Sequence, residues 1–141
     1  MTSPRLVPFK VEHMLAFIDH HNYVLPEMRF ADLKERGGPA FTAMLDNKVV
    51  GCAGVMVLWP GVGHAWLTVD KAMEKHGIWL TRIVRSILQD TMRALNLHRI
   101  EAVSINDHRW LHVLGFHIEE NSFARKYTQD KQDVVRYEIV K

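Results

Sequence analysis

The chain's 141 residues, 48% hydrophobic and 24% charged with a formal net charge of +2, are enough for one domain with a sizeable core. That balance excludes a disordered chain, and the charge is too small to argue by itself for nucleic acid. The single cysteine, Cys52, excludes an internal disulfide and lies in an apolar run, where a buried, inert thiol in a reducing compartment is expected.

No apolar run is long enough to span a bilayer, and the first five residues lack a signal-peptide core, so a cytoplasmic protein with no membrane partner is expected. Residues 5–9 form a short extended segment that Pro4 and Pro8 confine to an edge or a strand end. Residues 11–21 have helix spacing, with Val11, Met14, Leu15 and Ile18 on one face. A weaker helix over 27–36 stops at Gly37-Gly38, with Pro39 behind it. Residues 40–45 and 49–58 read as strands joined by the tight Asp46-Asn47-Lys48 connection, which makes a hairpin. Gly51 and Gly54 inside the second strand suggest a bulge or a close backbone approach. Trp59-Pro60-Gly61 turns the chain into a third strand over 62–69.

The stretch from Val62 to Leu95 organises the rest of the chain. The strand over 62–69 runs into a short charged loop, Lys71 to Gly77, and then into a long helix. Ile78, Ile83, Val84, Ile87, Leu88, Thr91, Met92 and Leu95 are expected to line one face of that helix. A strand that feeds a helix N-terminus through a glycine-containing loop is a ready anion site, because the first-turn amides are unpaired and the helix dipole is positive there. Asn96-Leu97-His98 closes the helix, a buried strand occupies 99–105, and a short helix occupies 106–113. Leu114-Gly115-Phe116 leads into another strand, and 133–140 alternates as the last. The order β-α-α-β-β-β-α-β-α-β-β predicts a mixed sheet flanked by helices, an α+β (α/β) domain over residues 1–141.

The order and several residues resemble the GNAT superfamily of N-acetyltransferases. Val69 ends a strand, and Glu74-Lys75-His76-Gly77-Ile78-Trp79 comes next at the spacing of that family's phosphate-binding loop. Ile100 to Asn106, then Leu114-Gly115-Phe116, match its later strand, Asn and Gly-Phe pair. The chain is similar in particular to small, phage-type members whose cofactor motif is eroded. The resemblance implies a mixed, mostly antiparallel sheet and acetyl transfer from acetyl-CoA to an amine of a small molecule or protein. It also implies that Lys75, His76, Gly77, Ile78 and Asn106 hold the cofactor, with the backbone of Leu67 and Val69 along its pantetheine arm. The chain departs from the family where Glu74 replaces an Arg or Gln and Trp79 a Gly or Ala. A carboxylate there repels phosphate, and an indole could stand where the backbone must approach it, while Lys71, Lys75 and His76 could compensate electrostatically. The family's frequent acidic Tyr corresponds to Leu111, between Trp110 and His112.

His64, Glu119 and His112 are the candidate bases, His64 because a neutral imidazole takes a proton near pH 7. Glu119 and Glu120 also read as solvated surface carboxylates, and His64 as an exposed strand residue. His108 and His112 stand at metal-ligand spacing, but no third ligand is evident and no metal is expected. Trp66, Trp79 and Trp110 read as partly buried anchors. The basic residues along the central helix read as a solvated face, without the aromatic interleaving of a nucleic-acid binder. The second reading is a GNAT-fold phage protein that has lost catalysis and binds a host protein or belongs to the virion. A homodimer through a strand edge is compatible with either.

Overall fold

The computed structural model describes residues 3–17, 34–104, 109–124 and 134–141, and only the backbone of 103, 104, 109, 118–124 and 134. A seven-stranded sheet has the order β1-β2-β3-β4-β5-β7-β6. Its strands are β1 (Arg5–Pro8), β2 (Ala40–Leu45), β3 (Lys48–Trp59), β4 (Val62–Val69), β5 (Arg99–Ser104), β6 (His117–Ala124) and β7 (Val134–Val140). Every neighbouring pair is antiparallel except β4 and β5, which are parallel. Pro8 sits on the edge strand, where its missing N–H costs no ladder bond.

Local chemistry accounts for the first hairpins. Asp46 and Asn47 both take positive φ, 52° and 62°, as a two-residue turn between right-twisted strands requires. The register of β2 on β3 slips between Ala43 and Met44, placing a bulge at Val50 beside Gly51. Gly54 marks a close approach, since a Cβ there would stand 2.6 Å from the Pro39 carbonyl oxygen. Gly61, at φ 92°, turns β3 into β4 against the ring of His98.

Helix α1 (Gly77–Ala94) covers one face of the sheet, and a 3-10 helix (Val11–Phe17) covers the other. Leu88 of α1 packs with Val55, Ile100, Phe116 and Tyr137. Phe9, Met14 and Phe17 pack on Cys52, three residues from Val55 and so on the opposite face. The buried hydroxyl of Thr42 lies 2.7 Å from Nδ1 of His13, which also accepts the Lys10 N–H at 3.1 Å. This pins the 3-10 helix to the sheet. Residues 34–36 are helical, and Glu35 Oε2 accepts the Val11 N–H at 3.0 Å. A short helix, α2 (Arg109–Val113), comes after β5.

Three expectations are corrected. The first helix is a 3-10 helix over 11–17; what was expected over 18–33 lies outside the described residues. The charged loop is a second 3-10 helix (Lys71–His76), capped by Asp70, whose carboxylate accepts the Ala72 N–H at 3.0 Å. It runs straight into α1, and that rotates Ile78 off the buried face to 74% exposure. Among the described residues, no helix is long and apolar enough to cross a membrane.

Candidate active site

The sheet forks where its one parallel pairing gives out. Strand β4 lies against β3 along its whole length, from Val62 opposite Trp59 to Val69 opposite Gly51. Against β5 it makes only three rungs, Val62–Arg99, Gly63–Ile100 and His64–Glu101. Among the described residues, the edge of β4 turned toward β5 has no strand partner from Ala65 to Val69, while β5 keeps β7 on its other side as far as Ser104. Unpaired backbone amides and carbonyls on such an edge are available to a ligand that offers amides of its own.

A cavity of about 680 Å³ opens into the fork. Ala65, Trp66, Leu67 and Val69 of β4 form one wall and Ala102 of β5 the other. Val84, Ile87 and Leu88 of α1 floor it, and Trp110 and Leu111 of α2 close one side. The walls are apolar; the charged groups, Asp70, Lys71 and Glu74, gather at the end where the second 3-10 helix begins. Across the cavity Trp110 Nε1 donates to Thr81 Oγ1 at 2.7 Å, and the Thr81 hydroxyl donates to the Gly77 carbonyl at 2.7 Å. These bonds tie α2 to the first turn of α1.

Of the expected cofactor-binding residues, Leu67, Val69 and Gly77 line the cavity. Among the described residues, nothing outside the adjoining backbone lies within 4 Å of where a Gly77 Cβ would stand, so there is open space beside the residue that begins α1. Lys75, His76 and Ile78 sit beside it but do not form its wall, and Asn106 lies outside the described residues. Trp79 is corrected. It does not obstruct the cavity but packs with Met73, Leu80 and Val69 against Ala43 and Val50, towards β2 and β3. Glu74 does line the cavity, as the spacing implied.

His64 occupies the last rung before the fork. Its Nδ1 is 3.9 Å from Glu101 Oε1, and Glu101 is held 3.6 Å from Arg99, which also pairs with Glu138. Burial lowers the His64 pKa below the ordinary imidazole value, with Glu101 opposing and Lys34 adding to the shift. The imidazole is therefore neutral near pH 7. His112 is exposed on α2, its ring edge-on to Tyr137 at 5.8 Å, and does not face the cavity. Glu119 lies on β6, the far edge strand. The structure thus brings His64, but not His112, to the fork.

Sequence reasoning missed Lys34. Its Nζ stands 4.9 Å from the centroid of the Trp66 ring, which stacks edge-on with Phe9 at 5.1 Å. The indole Nε1 of Trp66 is buried without a hydrogen-bond partner among the described residues. Burial raises the thiol of Cys52 to about 11, so it is no nucleophile.

This forked, mixed sheet is the fold of the GNAT acetyltransferases. The chain is similar to Ard1 from Thermoplasma volcanium, with a TM-score of 0.78 at 15% identity over 99% of this chain and 98% of that one. It is similar to the IAA acetyltransferase from Bacillus cereus, with a TM-score of 0.75 at 13% identity over 99% and 100%. A Bacillus subtilis acetyltransferase solved in complex with CoA aligns over 99% of both chains, with a TM-score of 0.69 and 14% identity. No family model and no curated protein sequence matches the chain. Identities this low establish the fold; the chemistry has to be argued from the residues.

Proposed function

We propose that the protein moves an acetyl group from acetyl-CoA to an amine of a protein or small molecule. The observation that carries this reading is the fork: three rungs of pairing, then an unpaired β4 edge above an apolar cavity. The free amides and carbonyls of Leu67 and Val69 suit a pantetheine arm, which carries two amides of its own. The open space beside Gly77 lets a pyrophosphate approach, with Lys71, Lys75, His76 and the Ile78 amide on that side and Asn106 as a further contact. Glu74 and Asp70 weaken that end electrostatically without filling it. That a similar fold has been solved with CoA adds support.

Bound there, acetyl-CoA supplies an acyl carbon activated as a thioester. His64 takes the proton that an ammonium must lose before it attacks, and the apolar walls keep water from the thioester. Glu119 and His112, the other candidate bases, take no part in this step, since His112 does not line the cavity and Glu119 lies on the far edge strand. The reading puts the protein in a reducing cytoplasm, where a lone thiol persists; for a phage-encoded chain that is the host's.

Calorimetry with acetyl-CoA tests the binding step, with micromolar affinity, near −8 kcal/mol, expected. Thiol release on adding a primary amine tests the transfer. No binding at millimolar acetyl-CoA overturns the reading and leaves a GNAT-fold protein that works by binding a partner.

A further inference from the structure

We propose that the acceptor is a primary amine, bound as its ammonium between His64 and Glu101 on the sheet face opposite α1, with Glu101 the residue that holds it. The inference rests on the acetyltransferase reading and adds the class of acceptor and the group that selects it. Strand alternation fixes the face. Ala65 packs against the cluster that contains Leu88 of α1, so His64 before it points away from α1. Ile100 and Ala102 belong to the same cluster, so Glu101 between them points away as well. Tyr137 and Ile139 do the same for Glu138. His64, Glu101 and Glu138 thus stand in one row across β4, β5 and β7.

Arg99 pairs with Glu138, which leaves Glu101 the less committed carboxylate of the two. Glu101 Oε2 is 3.6 Å from Arg99 and Oε1 is 3.9 Å from His64 Nδ1, both longer than a hydrogen bond. The two side chains keep 24% and 34% of their surface, so a ligand can reach the gap between them. A nitrogen about 2.9 Å from each atom sees the two acceptors about 85° apart, close enough to the tetrahedral angle of an ammonium for two near-linear bonds. A neutral imidazole with its proton on Nε2 offers the lone pair at Nδ1. The next residues along the two strands, Ala65 and Ala102, are walls of the cavity. An amine on this rung therefore lies beside the point where the strands part, with the donor's cavity one residue further on.

In the transfer, His64 takes one proton from the ammonium while Glu101 keeps hold of a second N–H. The freed lone pair forms a C–N bond to the thioester carbonyl carbon, and the C–S bond breaks. The sulfur leaves as thiolate and takes the third proton of the original ammonium. The amide keeps the N–H that Glu101 holds; free CoA thiol is the other product, and His64 returns its proton to solvent. A secondary ammonium has one N–H fewer, so Glu101 and the leaving sulfur compete for the same proton. That competition sets the preference for primary amines.

The test follows thiol release from acetyl-CoA with n-propylamine and with N-methylpropylamine, in the full chain and in Glu101→Gln. Glu101→Gln is expected to raise the KM for propylamine about tenfold, as loss of one charged hydrogen bond does, and to leave acetyl-CoA affinity unchanged. Propylamine is expected to exceed its N-methyl analogue about tenfold in kcat/KM, a ratio that shrinks several-fold in Glu101→Gln. A Glu101 that merely supports the sheet would slow both amines alike and leave the ratio unmoved. A readout without transfer is the NMR signal of the His64 ring in the free chain. The propylammonium ion is expected to shift it saturably, and tetramethylammonium, which has the charge but no N–H, is not. Equal responses to the two ions, or no response to propylammonium, overturn the inference. If acetyl-CoA binds and propylamine releases thiol with a KM and an amine preference indifferent to Glu101→Gln, the inference falls and the acetyltransferase reading stands. If acetyl-CoA does not bind at all, both fall.

Discussion

The hydrogen bond from Trp110 to Thr81 joins α2 to α1 beside the cavity, and Trp110→Phe measures what that tie contributes. The substitution keeps an aromatic ring on α2 and removes only the Nε1 donor, 2.7 Å from Thr81 Oγ1. The Thr81 hydroxyl keeps its own bond to the Gly77 carbonyl, so no new orphan is created on α1. One part-buried neutral hydrogen bond contributes about 1 kcal/mol net. With an unfolding entropy of about 2 cal/mol/K per residue, the melting temperature of a chain this long is expected to fall by about 3 °C. Thr81→Val costs about 1–2 kcal/mol, because it leaves the part-buried Trp110 N–H without its acceptor. In the double variant that penalty disappears, so a double-mutant cycle by thermal or urea unfolding is expected to show a coupling of about 1 kcal/mol. Strictly additive losses would refute the tie.

Glu74→Arg is expected to tighten acetyl-CoA binding about fivefold at low salt and less at physiological salt, since an exposed charge acts through screened Coulomb forces. Trp79→Gly is expected to leave that affinity unchanged and cost about 0.5 kcal/mol in helix propensity, with more from lost packing against Met73 and Val50; a gain in affinity would place the indole in the cavity after all. In the pH profile of transfer, the acidic limb is expected below the ordinary imidazole value of 6.5, because His64 is depressed by burial. Glu101→Gln removes the charge that opposes this shift, so the limb moves lower still; a limb that moves up refutes His64 as the base. The same depression gives His64 a stability contribution that is full above pH 6.5 and declines as pH falls through that value, readable in urea midpoints. Cys52, its thiol pushed up to about 11, is expected to resist iodoacetamide at pH 8 until the chain unfolds; rapid native labelling would contradict its burial.

The sequence by itself determined the elements whose causes are local. Alternation placed the strand over 40–45, apolar runs placed those over 49–58 and 62–69, Asp46-Asn47 set a tight turn, and the helical period of residues 83–92 drew α1. The family resemblance also singled out Gly77 and Glu74, and both line the cavity. What the tertiary structure decided depends on residues far apart in sequence. Whether β4 and β5 stay zipped or part after His64 rests on a parallel pairing between segments some 35 residues apart, which no local pattern records. Where Trp79 points depends on how the second 3-10 helix phases α1, a rotation that also exposes Ile78. Lys34 reaches Trp66 only because its segment lies across the sheet face opposite α1. Local periodicity selects a face for each residue, but only packing between distant segments decides which residues meet there.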